Sequence, residues 1–311
     1  QAACRTVAGH RDWRLQREIA GVIRGSNPGV VHLHNFKEAG TAAIAACRQV
    51  GVPVVWSCYD YWCLSPRDVE TSWTLRGYQP AKGRRWPLVA KLPMLGRQRR
   101  IMRWMNRLDA VICLSRASVY TLTRGGIVAP MHVVPLPVTI PGQRAIEWGR
   151  AHGHRYSEPA RDPNLVLFVG GEAPHKGKHI FDAAMKIVHH ERPWVYSQSI
   201  NEPTTRAQVL RRIADAGCLV VAEQWPNPGP VVIVEAQLLG TPVVAGNIGG
   251  IMELGPTLVS PADPHAFAAA IINELTWAVY TPATRQRLAA EVRHRPETIR
   301  KQLDIIYEGV R

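Results

Sequence analysis

Residues 219–253 constrain the fold of this chain more than any other segment. They contain an apolar run at 219–222, a proline-rich polar loop, a valine-rich stretch, and a second apolar run at 241–245 that leads into a glycine turn. Short apolar runs bounded by turn residues are typical of buried strands, and the stretch between them has the length of a short helix. The pattern predicts a strand, a helix and a second strand of a parallel sheet.

The valine-rich stretch carries signals for both ends of a helix. Proline is tolerated at the first helical position and glycine is favoured just past the last one, so Pro230 and Gly240 predict a helix of about three turns between them. The first turn of a helix leaves backbone amides without partners and carries partial positive charge. The amides of Val231 and Val232 are therefore predicted to bind an anion such as a phosphate.

Glu235 lies further along the same predicted helix, among mostly apolar residues. A buried carboxylate needs hydrogen-bond partners, and it can accept two hydrogen bonds at once, as from the vicinal hydroxyls of a ribose. A solvated helix position is the alternative interpretation, and the apolar neighbours argue against it. An anion site and a diol site on one helix together predict a nucleotide ligand.

These residues resemble the donor-binding segment of family 4 glycosyltransferases of the GT-B fold. That segment has two glutamates separated by seven residues, followed by a glycine, a Pro-Val-Val strand and a Gly-Gly-x-x-Glu turn. Glu235 corresponds to the second glutamate, which in the family binds the ribose of a nucleotide sugar. Asn227 stands at the first glutamate, which faces the donor sugar, so the resemblance places Asn227 against the sugar with one negative charge fewer.

A second loop follows the predicted strand 165–169 and contains Gly170, Gly171 and Lys176. It lacks the spacing of a dinucleotide site or of a P-loop. In the family, the corresponding loop holds the diphosphate with an arginine and a lysine. Lys176 corresponds to the lysine, with a solvated loop lysine as the alternative. Gly171 replaces the arginine, which predicts the loss of one hydrogen bond to a charged group, about 1.5–3 kcal/mol.

Two predicted strands in the first half, 30–34 and 54–58, end in polar residues. The residues at these ends are His34, Asn35, Tyr59 and Asp60. The carboxyl ends of parallel strands form the ligand-binding edge of a sheet. The resemblance assigns the first two residues to the acceptor side and the other two to the reacting side, with Tyr59 in place of a family histidine. Ser115 corresponds to a family serine near the donor phosphate, and a local turn former is the equal alternative.

The resemblance implies a fold and an activity for the whole chain. The fold is α/β, with two Rossmann-like domains whose parallel sheets are flanked by helices. The activity is transfer of a sugar from a nucleotide diphosphate sugar to a glycan, lipid-linked or small-molecule acceptor, with retention. Its catalytic residues would be Asp60, Tyr59 and Asn227. No Asp-x-Asp pair is present, so we expect no metal and no cofactor; Lys176 and the helix amides would stabilise the departing diphosphate.

A stretch rich in proline, glycine and charge divides the chain. It predicts a linker at 141–163 between an acceptor-side domain at 1–140 and a nucleotide-sugar domain at 164–283. An amphipathic helix predicted at 284–307 lies in a C-terminal segment, 284–311, that the resemblance brings back to the first domain. Family members begin with a strand and a glycine-rich loop that are not found here, so we expect the first domain to lack its first strands.

Other helices and strands follow the same alternation. Further elements are predicted as a strand at 110–114 and helices at 13–24, 41–50, 178–189 and 206–216. Strands that alternate with helices indicate parallel sheets with right-handed crossovers.

The positive charge of the chain indicates an anionic partner. Its formal net charge is +14, and basic residues concentrate at 82–107 with tryptophan, leucine and methionine between them. That composition is typical of an interfacial helix on an anionic membrane, and a solvated basic face is the alternative. No helix-turn-helix, zinc finger or aromatic RNA-binding pattern accompanies the charge, so no nucleic-acid partner is predicted.

The remaining composition excludes several classes of protein. No apolar run approaches the ~18 residues of a membrane-spanning helix, and no secretory signal opens the chain. The 6 cysteines do not show paired metal-ligand spacing, which indicates reduced thiols. We therefore expect a cytoplasmic protein, with peripheral attachment to the inner face of the membrane as a further hypothesis.

A second function is carried alongside the first. The residues at Gly171, Asn227 and Tyr59 depart from the family pattern. A catalytically impaired relative that binds a nucleotide, or acts as a scaffold in polysaccharide assembly, is therefore the alternative hypothesis.

Overall fold

The computed structural model describes residues 12–35, 39–64, 96, 99–140, 161–200, 204–277 and 290–311. The chain forms two compact units, one of Gln1–Pro135 with Arg300–Arg311 and one of Leu136–Ile299. Each unit contains a parallel sheet accompanied by helices. The predicted fold class of two Rossmann-like α/β domains is confirmed.

The first unit has a sheet with strand order β1-β2-β3-β4. Its strands are β1 (Val31–His34), β2 (Val54–Cys58), β3 (Ala110–Cys113) and β4 (Met131–Val133), and its helices include α1 (Trp13–Ser26), α2 (Thr41–Val50) and α3 (Arg116–Arg124). Asp12 begins α1 by accepting from the amide of Arg14 at 2.9 Å, and Asn27 ends it in a left-handed conformation. All five residues of β2 are buried, which explains its unbroken apolar sequence.

The second unit has a sheet with strand order β6-β5-β7-β8-β9. Its strands are β5 (Asp162–Val169), β6 (Tyr196–Ile200), β7 (Ala216–Val221), β8 (Val243–Gly246) and β9 (Thr257–Val259), and its described helices include α4 (Lys178–Glu191), α5 (Arg206–Asp215), α6 (Val231–Leu239) and α7 (Pro264–Trp277). The last described helix of the chain, α8 (Pro296–Val310), lies mostly in the first unit.

Both faces of the second sheet are covered. Successive residues of a strand point to opposite faces. Phe168 of β5 packs with Phe181 of α4 and Phe267 of α7 on one face, and Leu167 packs with Ile233 of α6 on the other. Helices on both faces leave the polar loops at the strand ends as the exposed parts of this sheet, and these loops carry the candidate donor site.

The structure adds elements that the sequence did not predict. These are β4, β6, β9 and α7. The three strands lie at sheet edges and are short or partly polar, so their apolar pattern is weak. The units divide at Pro135 and Leu136, whereas the predicted linker is 141–163. Residues 141–160 lie outside the described part, so the linker and the domain limits stay predictions, as does the absence of first strands.

The prediction of one continuous C-terminal helix at 284–307 is wrong in its described part. Residues 290–293 are helical, a turn follows at His294, and α8 begins only at Pro296. Proline has no amide hydrogen to donate, and it disfavours a helical conformation at the residue before it. Proline therefore starts a new helix here. Residues 284–289 lie outside the described part.

The basic segment 82–107 is described only near its end. Residues 99–105 are helical, with Ile101 and Met105 buried and Arg100 and Arg103 exposed. The apolar side of this part contacts the protein itself, which fits the solvated basic face better than a membrane-inserted one. None of the helices in the described ranges has the length and apolar character needed to span a bilayer.

Candidate active site

The candidate donor site lies on loops at the carboxyl edge of the second sheet. One loop follows β5 and the other follows β7, and these two strands are neighbours. The amide of Gln224 donates to the carbonyl of His175 at 2.7 Å. Gly177 has φ 75°, and a Cβ at this position would come 1.7 Å from the carbonyl oxygen of Ala222. The two loops are therefore held directly against each other, with glycine required at 177.

Lys176 and Asn227 are brought together by a residue that the sequence did not single out. Glu223 accepts from the ammonium of Lys176 at 2.8 Å and from the side-chain amide of Asn227 at 2.6 Å. Asn227 also accepts from the amide of Gly229 at 2.9 Å through its Oδ1. Glu223 is 5% exposed, whereas the side chain of Lys176 is 31% exposed. The ammonium therefore has a buried anchor and an outward side.

Pro230 and Gly240 bracket the valine-rich helix as predicted, but Pro230 is the residue before the first helical position rather than the first helical residue itself. Pro230 is extended and precedes α6, and Gly240 follows it in a left-handed conformation at φ 73°. Within the described residues, the amides of Val231 and Val232 donate to no group. Free amides at the amino end of a helix are suited to an anion, and binding of a phosphate there stays a prediction.

Glu235 is buried on α6, at 8% exposure, and forms an ion pair. Its Oε1 accepts from the Nε of Arg206 at 3.0 Å, and the Nη2 of Arg206 also donates to the carbonyl of Thr139 at 2.9 Å. Its Oε2 accepts no hydrogen bond within the described part of the chain. One oxygen is therefore committed to an arginine whose side chain is 55% exposed, and the other is available. The ribose role of Glu235 stays a prediction.

The glycines of the first loop differ in their surroundings. The amide of Gly170 donates to the carbonyl of Ile200 at 3.2 Å, which fixes the start of the loop. A Cβ at Gly171 would meet no atom within 4 Å, and the backbone there is not in the left-handed region. Position 171 therefore has room for a side chain, although the sequence supplies none.

The first unit brings His34 and Tyr59 together at the carboxyl ends of β1 and β2. The Nδ1 of His34 lies 2.7 Å from the hydroxyl oxygen of Tyr59, and their rings are stacked. Behind them, His32 bonds the hydroxyls of Tyr307 at 2.6 Å and Ser57 at 2.9 Å. Burial lowers the pKa of His32 to about 4, helped by the neighbouring His34, and burial also lowers the pKa of His34. Both imidazoles are neutral at pH 7.

The other predicted residues of the first unit have local structural roles. The carboxylate of Asp60 accepts from the amide of Trp62 at 3.1 Å, at the start of a short 3-10 helix. Asn35 is exposed in a left-handed conformation at φ 44°. Ser115 is 2% exposed and caps α3, which favours the turn-former interpretation. The reacting, acceptor and phosphate roles proposed for these residues stay predictions.

Among the described residues, no group of His, Cys, Asp and Glu side chains has the arrangement to hold a metal ion. The described cysteines are Cys47, Cys58, Cys63, Cys113 and Cys218, and all are buried free thiols. Burial raises the pKa of Cys113 to about 12 and that of Cys47 to about 11. Thiols with such pKa values are poor nucleophiles at neutral pH.

Two family models match the chain. The model described as Glycosyltransferase Family 4 matches residues 6–140, and the model described as Glycosyl transferases group 1 matches residues 163–276. The chain is a family 4-like, group 1 glycosyltransferase. The predicted resemblance and enzyme class are confirmed. The comparison with curated protein sequences gave no match.

Solved structures of glycosyltransferases have the same fold. HepE from Anabaena, in complex with UDP and glucose, is 21% identical to this chain with a TM-score of 0.63, and the match covers 92% of this chain and 79% of the HepE chain. Sucrose-phosphate synthase from Thermosynechococcus elongatus is 15% identical to this chain with a TM-score of 0.66, and the match covers 94% of this chain and 76% of the synthase chain. At these identities, the likeness establishes the GT-B architecture.

Sequence reasoning missed Glu223, Arg206 and Tyr307 as parts of the candidate sites. Glu223 carried a usable signal, because it stands two residues after the end of the buried parallel strand β7 and so lies at the ligand-binding edge. Arg206 and Tyr307 carried none. Their partners, Glu235 and His32, are distant in sequence and meet them only in the folded chain.

Proposed function

We propose that this glycosyltransferase moves a sugar from a nucleoside diphosphate sugar to a glycan, lipid-linked or small-molecule acceptor, with retention at the anomeric carbon. The observation that carries the proposal is that α6 presents two kinds of binding group. The amides of Val231 and Val232 are free in its first turn, and Glu235, further along the same helix, has one carboxylate oxygen available. Phosphate and ribose are the two parts of a nucleotide that need these groups.

Each group has a role in the proposed reaction. The amides of α6 and the ammonium of Lys176 stabilise the negative charge that develops on the diphosphate as its bond to the sugar breaks. Glu235 accepts from the ribose hydroxyls, and Asn227 donates to the sugar. Gly170 and Gly171 let the backbone approach the diphosphate. These roles need no metal and no cofactor.

The first unit is proposed to bind the acceptor. His34 and Tyr59 form a neutral hydrogen-bonded pair at the carboxyl edge of its sheet, with Asn35 and Asp60 beside them in sequence. Neutral imidazole and phenol groups are donors and acceptors that suit sugar hydroxyls. The support for a UDP donor comes from the neighbouring folds, since structures of HepE contain UDP or UDP-glucose.

A binding screen followed by a turnover assay tests the proposal. Thermal shift and calorimetry with UDP, GDP and their sugars should identify one base that stabilises the protein, and release of the free nucleotide from its sugar should follow. Absence of binding to every nucleotide would contradict the donor site. Analysis of the anomeric configuration of the product tests retention.

A scaffold without transferase activity is the second candidate. The observation that favours it is that the charged candidate donor-site residues already have partners. Glu223 forms an ion pair with Lys176, and Arg206 forms one with Glu235. In addition, Gly171 has no side chain with which to bind a diphosphate. Nucleotide binding without release of nucleotide from any sugar, with or without added acceptors, would support a scaffold in polysaccharide assembly.

A cytoplasmic location with peripheral attachment to the membrane is a further proposal. It rests on the basic residues of 82–107, of which the described part has exposed arginines. Cosedimentation with vesicles that contain phosphatidylglycerol, but not with vesicles of phosphatidylcholine alone, is expected, and the difference should vanish in high salt. Equal pelleting with both would contradict attachment through charge.

A further inference from the structure

Glu223 connects the two donor-site residues that come from different loops. Its Oε1 accepts from the Lys176 ammonium at 2.8 Å, and its Oε2 accepts from the Asn227 amide nitrogen at 2.6 Å. We infer that Glu223 is a positioning residue, which fixes the Lys176 ammonium and the Asn227 amide in one geometry toward the donor. This inference rests on the proposed function.

The backbone around Lys176 is already fixed, so its side chain is the part that needs an anchor. The amide of Lys176 donates to the carbonyl of Ala173 at 2.8 Å, and the loop contacts its neighbour through His175 and Gln224. A lysine side chain has a flexible four-carbon stem and about 2 kcal/mol of rotamer entropy. Glu223 is buried on the neighbouring loop, so it restricts where the ammonium can lie.

Both partners of Glu223 keep a hydrogen for a ligand. A lysine ammonium has three donor hydrogens and a side-chain amide has two. In the described part of the chain, Lys176 uses one of its hydrogens on Glu223, and Asn227 uses one as well. The Oδ1 of Asn227 accepts from the amide of Gly229, which sets the amide plane. The Glu223 carboxylate therefore orients the Lys176 ammonium and the Asn227 amide, and each of them still has at least one hydrogen to donate to a ligand.

The identity of residue 227 is tied to the charge at 223. Glu223 is 5% exposed, and a buried carboxylate requires donors on both oxygens. Asparagine donates, whereas a glutamate at 227 would bring a second carboxylate within hydrogen-bond distance. Like charges at such a distance oppose each other strongly. Asparagine at 227 therefore follows from glutamate at 223, and the two positions are expected to be coupled.

The experiment compares the wild type with Glu223→Gln, Asn227→Glu and the combined variant. Release of UDP from UDP-glucose gives kcat, and calorimetry gives the Kd for UDP. If UDP-glucose is not turned over, the nucleotide sugar that gives the largest thermal shift replaces it. Glu223→Gln should lower kcat by about 10–100-fold, because small misplacement of catalytic groups has effects of this size. The Kd should stay within about threefold, because the ammonium keeps its charge.

The combined variant provides the test that a merely structural role would not pass. Asn227→Glu alone should lose about 10-fold or more in kcat, and adding Glu223→Gln should recover most of that loss, because donor and acceptor are then exchanged. The control is Glu274→Gln, which removes a hydrogen-bonded carboxylate near Thr257 at the amino end of β9. It should leave kcat and Kd unchanged.

Three results overturn the inference. They are a kcat within about threefold of wild type for Glu223→Gln, a parallel loss of kcat and UDP affinity, or a combined variant no more active than Asn227→Glu. If Glu223→Gln does not fold, Glu223→Asp, which keeps the charge but shortens its reach, should show the same loss in kcat at constant Kd. Wild-type protein that binds no nucleotide refutes the proposed function instead. Coupling between 223 and 227 in urea unfolding would then still report the contact.

Discussion

Replacing Glu235 with glutamine tests the donor site most directly. Glu235 is 8% exposed, its Oε1 is bonded to Arg206, and its Oε2 is available. The substitution keeps the shape and converts one acceptor oxygen into a donor. The expected loss in UDP affinity is one hydrogen bond to a charged group, about 1.5–3 kcal/mol, which is roughly 10–150-fold in Kd.

The same change should affect folding much less than binding. The side chain of Arg206 is 55% exposed, so solvent screens its pair with Glu235 and rehydrates the guanidinium when the charge is removed. Screened pairs contribute about 0–1 kcal/mol. Urea unfolding should therefore show a change below about 1 kcal/mol. Glu274→Gln, on α7 beside Thr257 at the amino end of β9, should leave UDP binding unchanged.

A ligand lacking one hydroxyl identifies the ribose contact. Calorimetry with UDP and with 2′-deoxy-UDP and 3′-deoxy-UDP gives the penalty for each missing hydroxyl in the wild type and in Glu235→Gln. At least one penalty should be large in the wild type and largely lost in the variant, because the hydroxyl and the carboxylate form one hydrogen bond. Equal penalties in both proteins would refute the assignment of Glu235 to the ribose.

Three further predictions follow from local geometry. Gly171→Arg should fit, because the position is open, and should tighten UDP binding by about 10-fold or more by calorimetry, whereas Gly171→Gln should not. Gly177→Ala should destabilise the protein in urea unfolding by more than Gly51→Ala; both have positive φ, but only Gly177 meets a carbonyl. The pKa of His32 is about 4 in the folded protein and about 6.5 in the unfolded chain, so below pH 6.5 the unfolded chain binds a proton that the folded protein does not. The free energy of unfolding should therefore fall as the pH is lowered from 6.5 to about 4, by at most about 3 kcal/mol. His32→Gln should flatten that fall in urea titrations across the window, and an unchanged fall would refute the assignment.

Much of the fold was open to prediction because it rests on local pattern. The strands with buried apolar sequences, such as β2 and β7, were predicted within a few residues, since burial on both faces demands continuous apolar side chains. The ends of α6 followed from Pro230 and Gly240. By contrast, β6 lies at a sheet edge and contains three polar residues in its five, so it has no apolar run by which a buried strand could be predicted.

The candidate site divides in the same way. The sequence by itself determined which residue types stand at the strand ends and at the start of α6, because apolar period, proline and glycine are read within a few neighbouring residues. Only the tertiary structure decided their partners: Glu223 between Lys176 and Asn227, Arg206 on Glu235, and Tyr307 on His32. Hydrogen bonds between distant side chains depend on how loops from different strands meet, and that information is not contained in any local pattern.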